Sequence, residues 1–272
     1  MKMVILLCLL VLLGGIVFGC QHKMIYHPRG YPGDASMESM VRLEYDTDQG
    51  AQTSFYYADE AHPDVLPEKV WIIFGGNATV ALDWYGFAKG FSARESTGFL
   101  LMEYPGYGLC AGRPSSKSIL TATRQAVAKL SDYLQTDPRT LEGRISVVGH
   151  SLGAAAALQY AVTIPVEKVV LISPFSSLRD MAALVVGIPL NYLLFENYDN
   201  RARLRELFDH TSFPDVVIIH GTQDEVIPVR MGRELSGLSS RIIYKQVDNC
   251  GHNSILSIAE ERIYAAMRFA DL

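Results

Sequence analysis

One stretch, Arg144 to Ala157, constrains the fold of this chain more than any other. It opens with β-branched residues, turns through Gly149-His150-Ser151-Leu152-Gly153, and continues into an alanine-rich run. A strand, a sharp turn and a helix with serine at the apex are typical of a G-x-S-x-G nucleophile elbow. The glycines allow strand and helix to approach closely. The Leu152 N–H, at the start of the helix, is then expected beside the serine hydroxyl as an oxyanion donor.

The rest of the chain favours one large α/β domain. It has 272 residues, of which 49% are hydrophobic and 19% charged, and its net charge of −5 argues against a nucleic-acid partner. Apolar runs alternate with segments of helical periodicity, which predicts a mostly parallel central sheet with helices on both faces. The runs Val41–Asp46 and Gln52–Ala58 predict an antiparallel hairpin at its edge.

The first twenty residues resemble an export signal. Lys2 precedes an apolar run from Met3 to Gly19, and the run ends in V-F-G-C, similar to a bacterial lipobox in which Cys20 becomes the lipidated N-terminus. The alternative is an uncleaved anchor helix, for which seventeen residues is the lower limit. Both place residues 21–272, the predicted catalytic domain, outside the cytoplasm or at a membrane face. Gln21 after the cysteine favours the outer membrane in a Gram-negative host.

A serine nucleophile needs a base and an orienting acid, which in this architecture come from loops after later strands. His252, between the last predicted strand and the last helix, is the predicted base. Asp224, in the loop after the strand Val216–His220, is the predicted acid. Asp248 is the alternative acid, and Glu225 is expected to be solvated.

Two other histidines are placed less well for catalysis. His150 lies inside the elbow, where its side chain is expected to point away from the nucleophile, and His220 is expected to support the Asp224 loop. The second oxyanion donor is predicted in the loop after Lys69–Phe74, where Gly75-Gly76 lets the backbone approach closely and the Asn77 N–H is the best candidate. The histidines and cysteines lack ligand spacing, so we predict neither a metal nor another cofactor.

These motifs resemble those of a known family. G-H-S-L-G, H-G-T-Q-D-E-V-I-P and G-H-N are similar to the elbow, acid loop and histidine loop of α/β-hydrolase serine hydrolases. F-G-G-N-A, E-Y-P-G-Y-G-L-C-A-G-R-P-S and S-P-F-S-S-L-R-D resemble the abhydrolase-domain branch, which includes protein depalmitoylases and monoacylglycerol lipases. The resemblance implies the α/β-hydrolase fold and a Ser151–His252–Asp224 triad. The chain departs from that branch at Gly75, where histidine is usual, and at Leu109-Cys110-Ala111, where a small serine is common.

Cys110 and Cys250 lie on loops expected at the same edge of the sheet. In an exported protein they could form a disulfide that holds the His252 loop, or they could be two separate buried thiols. The sequence leaves both alternatives open.

The stretch from Phe175 to Phe208 interrupts the strand–helix alternation and predicts two or three short helices, a small cap insertion. Its apolar part, Met181–Phe195, fits an acyl-binding wall, a membrane-facing cap or helices that face the core. The sequence therefore predicts hydrolysis of an acyl ester or thioester, from a small molecule or a lipid. A serine peptidase and a non-catalytic binding lipoprotein are the alternatives.

Overall fold

A computed structural model describes residues 21–33, 39–58, 64–92, 97–209 and 213–268. The predicted leader, residues 1–20 with Cys20, lies outside the described residues. Among the helices in these ranges, none has both the length and the hydrophobicity needed to cross a membrane.

Eight strands within the described residues form a single sheet. They are β1 (Val41–Thr47), β2 (Gly50–Tyr57), β3 (Lys69–Phe74), β4 (Thr97–Met102), β5 (Ile145–His150), β6 (Lys168–Ile172), β7 (Asp215–Gly221) and β8 (Ile242–Val247). Their order across the sheet is β1-β2-β4-β3-β5-β6-β7-β8. β1 and β2 form an antiparallel hairpin, β2 is antiparallel to β4, and the remaining pairs are parallel. The predicted mostly parallel sheet is confirmed.

Helices connect the strands. They are α1 (Tyr85–Ser92), α2 (Ser116–Tyr133), α3 (Pro138–Glu142), α4 (Leu152–Ala161), α5 (Leu178–Val186), α6 (Asn200–Phe208), α7 (Val229–Ser236), α8 (Ile255–Ile258) and α9 (Glu260–Met267), with 3₁₀ turns at Ala81–Trp84 and Leu190–Leu193. The short α3 has no counterpart in the sequence predictions. Its signal is present, because the Asp137 carboxylate caps the N–H of Arg139 and Pro138 occupies the first turn.

The central strands are buried on both faces, which explains why they read as continuous apolar runs. Val70, Ile72 and Phe74 of β3 belong to one core cluster. Trp71 and Ile73 point the opposite way and belong to a second cluster. Because side chains alternate along a strand, a parallel strand covered by helices on both sides needs an apolar residue at every position.

The chain order reverses around β3, which lies between β4 and β5. The loop after β3 carries Asn77 and the turn after β5 carries Ser151, so both leave the carboxyl edge of the sheet from neighbouring strands. In open α/β sheets the crevice at such a reversal is the usual ligand site. The topology therefore brings the proposed oxyanion loop beside the elbow.

The predicted helical insertion between β6 and β7 consists of α5, the 3₁₀ turn and α6. α6 packs on the domain through buried Leu204 and Leu207. α5 has no buried residue, and the large apolar side chains that follow it are exposed. The alternative that Met181–Phe195 faces the core is therefore wrong for most of this stretch.

The start of α4 lies against the end of β3. A Cβ at Gly153 would lie 2.0 Å from the Phe74 carbonyl oxygen and 2.5 Å from that of Gly75. These are backbone atoms held in the sheet, so a side chain at this position would have to push α4 away from β3.

We expect Gly153→Ala to lower the free energy of unfolding by about 1–3 kcal/mol, because the added methyl overpacks a rigid backbone contact. Urea denaturation followed by circular dichroism measures the change. Gly143→Ala is the control, since the nearest atom to a Cβ there is the Arg139 carbonyl oxygen at 3.6 Å. That control should stay neutral or gain up to about 1 kcal/mol. Equal stability of the two variants would show that the α4–β3 contact has room for a methyl.

Candidate active site

Ser151 stands at a strained turn between β5 and α4. Its φ is 57° and its ψ is −118°, a left-handed conformation that costs a non-glycine residue about 1–3 kcal/mol. The Ser151 N–H donates to the Ile172 carbonyl at 2.9 Å and so ties the turn to β6. A Cβ at Gly149 would lie 2.2 Å from the Gly153 carbonyl oxygen, so the turn requires glycine there. This geometry is that of a nucleophile elbow.

His252 and Asp224 meet at the same edge of the sheet. His252 Nδ1 lies 2.8 Å from Asp224 Oδ2, and the Asp224 side chain is fully buried. Asp224 leaves the end of β7 and His252 the end of β8, which are neighbouring parallel strands. A carboxylate at Nδ1 fixes the ring orientation and favours the tautomer in which Nε2 carries no proton.

The Asp224 carboxylate has more partners than the histidine alone. His220 Nε2 lies 3.2 Å from Oδ2, while Oδ1 accepts the N–H groups of Val226 at 3.0 Å and Ile227 at 2.7 Å. Burial by itself raises the pKa of this carboxyl, but the hydrogen bonds from His220, His252 and Ile227 outweigh it and hold the pKa well below its usual range. Asp224 is therefore ionised at neutral pH.

The other acids of these loops have different positions. Asp248 is exposed and accepts a hydrogen bond from the Gln246 side chain at 3.2 Å. Glu225, which the sequence predicts to be solvated, is exposed, yet its Oε2 also accepts the His252 N–H at 3.1 Å. Glu225 thus supports the backbone of the histidine loop, a contact that the sequence pattern does not reveal.

His150 is a supporting residue whose contacts the sequence did not predict. Its Nε2 donates to the His252 carbonyl at 3.0 Å, and the two imidazole rings lie 4.8 Å apart between centroids. Burial, aided by the neighbouring His252, lowers the pKa of His150 to about 3, so the ring is neutral. A Cβ at Gly76 would lie 2.8 Å from His150 Nδ1. One neutral ring thus separates the His252 loop from the loop after β3.

Two backbone N–H groups are available as oxyanion donors. Leu152 is the first residue of α4, where a helix leaves its N–H without an intrahelical acceptor. The Asn77 N–H has no recorded acceptor among the described residues. The Asn77 side chain holds this loop: Oδ1 accepts from the His27 N–H at 2.9 Å and the Tyr107 hydroxyl at 2.7 Å, and Nδ2 donates to the Ile25 carbonyl at 2.8 Å.

The chain has glycine at position 75, the departure from the branch that its motifs resemble, and other side chains fill the space. A Cβ on Gly75 would lie 2.5 Å from Thr79 Oγ1 and 3.0 Å from Trp84 Nε1. The Tyr104 hydroxyl donates to the Gly75 carbonyl at 2.7 Å. Glu103 accepts the Ala81 N–H at 3.2 Å, and its burial raises the pKa of its carboxyl to about 7. The loop is therefore supported without the histidine.

Two further predictions can be compared with the geometry. Cys110 and Cys250 are free buried thiols, which is the alternative of two separate cysteines rather than a disulfide. Cys110 Sγ donates to the Thr53 carbonyl at 3.3 Å, whereas Cys250 Sγ lies 3.8 Å from Ser254 Oγ. In the described ranges, no group of three or more potential ligands is arranged to hold a metal ion.

Among the described residues, the Ser151 hydroxyl makes no hydrogen bond to the His252 ring. The elbow contacts the histidine loop through His150, which precedes Ser151 in the chain and donates to the His252 carbonyl.

A mostly parallel sheet with a strained serine elbow after one of its central strands defines the α/β-hydrolase class of proteins. The family model described as "Alpha/beta hydrolase family" matches residues 72–216, more than half of the chain. The chain therefore belongs to the alpha/beta hydrolase family.

Relatives of this chain are found among both sequences and structures. An uncharacterized protein of Mycobacterium tuberculosis is 34% identical over 156 residues, which cover 57% of this chain and 52% of the relative. Human alpha/beta hydrolase domain-containing protein 17B is 25% identical over 181 residues, 66% of this chain and 59% of the relative. The chain thus spans little more than half the length of these relatives. An esterase of Pyrococcus furiosus matches with a TM-score of 0.66 at 16% identity, covering 89% of this chain and 96% of the esterase.

His150 gives the site a pH-dependent stability. Its pKa is about 3 in the folded protein and 6.5 for an exposed histidine, so below pH 6.5 the unfolded chain binds the proton more readily. Stability from this group is present above pH 6.5 and is lost as pH falls toward 3. Between pH 7 and pH 5 we expect the wild type to lose roughly 1–2 kcal/mol more than His150→Gln, whose amide can still donate to the His252 carbonyl.

Urea titrations at the two pH values measure this difference. The wild type must be compared with a variant because Glu103 also contributes to the pH dependence of stability. Its raised pKa favours the folded state at the lower pH, which is opposite to the effect of His150. His27→Gln, a change at an exposed ring, is the matched control and should behave like the wild type. Equal pH dependence in wild type and His150→Gln would contradict a neutral buried His150.

Proposed function

We propose that this chain is a serine hydrolase that cleaves carboxylic ester or thioester bonds through Ser151, His252 and Asp224. The observation that carries the proposal is the 2.8 Å contact between His252 Nδ1 and the buried Asp224 carboxylate. Such a pair at the edge of the sheet that carries a serine elbow has the composition and the chain order of a Ser–Asp–His triad.

The residues divide the reaction into two steps. Ser151 Oγ attacks the acyl carbonyl while His252 Nε2 takes its proton, and the imidazolium that forms is stabilised by ionised Asp224. His252 then protonates the leaving alcohol or thiol, which departs and leaves an ester on Ser151. Water, deprotonated by the same imidazole, attacks that ester and releases the carboxylic acid.

The negative oxygen of each tetrahedral intermediate is held by the Leu152 and Asn77 N–H groups. One such donor typically contributes about 3–4 kcal/mol to transition-state stabilisation. The hydrogen bond between Ser151 and His252 forms with substrate bound, in keeping with the long catalytic hydrogen bonds common in substrate-free enzymes.

The substrate we propose carries an acyl chain, on a lipid or another small molecule. The insertion between β6 and β7 exposes large apolar side chains, which favours a substrate that carries an acyl chain or lies in a lipid surface. The motifs that resemble the depalmitoylase and monoacylglycerol lipase branch support the same assignment. Because the triad acts at the acyl carbonyl, both oxygen and sulfur leaving groups are compatible with it.

Labelling with a fluorophosphonate probe tests the nucleophile, and turnover tests the acid. We expect the full chain to be labelled and Ser151→Ala to remain unlabelled. Asp224→Asn should lower kcat for p-nitrophenyl esters by roughly three to four orders of magnitude, because the imidazolium loses its counter-charge and its fixed tautomer. Turnover of p-nitrophenyl esters with acyl chains of increasing length then reports the substrate class.

Asp248→Asn is the matched control for Asp224→Asn, since it makes the same change on a neighbouring exposed loop and should retain turnover. Labelling that persists in Ser151→Ala, or a loss of turnover in Asp248→Asn but not in Asp224→Asn, would contradict the triad. Absence of any labelling in the full chain would overturn the hydrolase assignment.

We also propose that the chain is exported and held at a membrane through a lipid on Cys20, because an apolar run precedes a lipobox-like V-F-G-C. Cells grown with labelled palmitate should yield a labelled wild-type chain and an unlabelled Cys20→Ser variant, and globomycin should block processing. Equal incorporation into the two chains would leave the uncleaved anchor as the explanation for membrane association.

A further inference from the structure

The insertion exposes an extended apolar surface. We define the apolar face by Val185, Ile188, Leu190, Tyr192, Leu193 and Phe195, whose side chains are 56–75% exposed. Residues 181–195 contain no charged side chain. Single exposed hydrophobic residues are found on most proteins and need no explanation. Several of them in one uncharged segment, in contrast, are typical of an interaction site.

Gln21, the first described residue, is hydrogen-bonded to the apolar face. The Gln21 side chain donates to the Leu193 carbonyl at 2.9 Å and accepts the Phe195 N–H at 3.1 Å. Met24, in the same N-terminal stretch, is 60% exposed. Gln21 directly follows Cys20, the proposed lipidation site, in the sequence. The residue next to the proposed lipid anchor is therefore held at the apolar face.

The charges around the face also fit a phospholipid surface. Leu184 and Ile188 line a cavity of about 410 Å³ that also contains Arg201 and Arg230. Arg201 is neutralised by ion pairs with Asp180 and Glu234. Arg230 has no acidic partner among the described residues, so its guanidinium is available at the border of the apolar face. An arginine beside exposed apolar and aromatic side chains suits the headgroup level of a bilayer.

We propose that the apolar face is a bilayer-docking surface that lies in the phospholipid interface, with Arg230 at the level of anionic headgroups. Docking places α5 on the membrane. α5 follows β6, and the Ile172 carbonyl at the end of β6 accepts the Ser151 N–H, so the membrane then lies at the carboxyl edge of the sheet. The inference rests on the proposed membrane association, and it does not depend on hydrolysis.

Depth-dependent fluorescence quenching tests the surface with the full chain. Val185→Trp reports from the apolar face, and Val65→Trp is the matched control, because Val65 is 58% exposed and precedes β3 at the opposite edge of the sheet. The native Trp71 and Trp84 are buried and give the background. In vesicles of phosphatidylcholine and phosphatidylglycerol, headgroup-proximal doxyl lipids should quench Val185→Trp several-fold more than Val65→Trp, with a blue shift confined to Val185→Trp.

The outcomes separate the bilayer from other occupants. A blue shift at position 185 without doxyl quenching would assign the face to residues 1–20 or to a second copy of the chain, and would overturn the proposal. Equal quenching at positions 185 and 65 would overturn it as well. Arg230→Gln should reduce the quenching of Val185→Trp in phosphatidylglycerol vesicles and leave it unchanged in pure phosphatidylcholine. Adding Ser151→Ala should leave all quenching unchanged, so failure of docking and failure of the hydrolase proposal are distinguishable.

Discussion

The contact between the first turn of α4 and the end of β3 is the constraint on which the site depends. Gly153 lies so close to the Phe74 and Gly75 carbonyls that no side chain fits, and Gly149 is equally close to Gly153. This approach forces Ser151 into its left-handed conformation and directs the N-terminus of α4 toward the loop that carries Asn77. The strain at Ser151 persists because packing on both faces of the sheet leaves the turn no other path.

The electrostatics of the site are organised by Asp224. One buried carboxylate oxygen faces both His220 and His252, and the other accepts two backbone N–H groups. The charge is thereby retained despite burial, and it orients the ring that we propose as the base. His150 and Glu225 hold the backbone of the same histidine loop. The geometry of His252 therefore depends on the loop after β7 and on the elbow as well as on its own loop.

The elements of the fold could largely be predicted from sequence, because periodicity and turn residues are local signals. The strands that are buried on both faces, the hairpin at the edge and the inserted helices all correspond to such patterns. Two details escaped: α3, whose Asp137-Pro138 signal is short, and the division of the last predicted helix into α8 and α9. Helix ends and short helices depend on tertiary contacts as much as on propensity, so sequence periodicity defines them poorly.

For the site, the sequence alone determined which residues could act: the serine of the elbow, one acid and one histidine on later loops, and a glycine-rich turn. Each of these groups lies in a short sequence motif, and the order of the motifs along the chain is visible in the sequence itself. The tertiary structure alone decided that Asp224 rather than Asp248 contacts His252 and that His150 bonds the His252 backbone. It also decided that the cysteines are separate and that most of residues 185–195 are exposed. Each of these depends on which loops meet at one edge of the sheet, a relation between residues far apart in the chain.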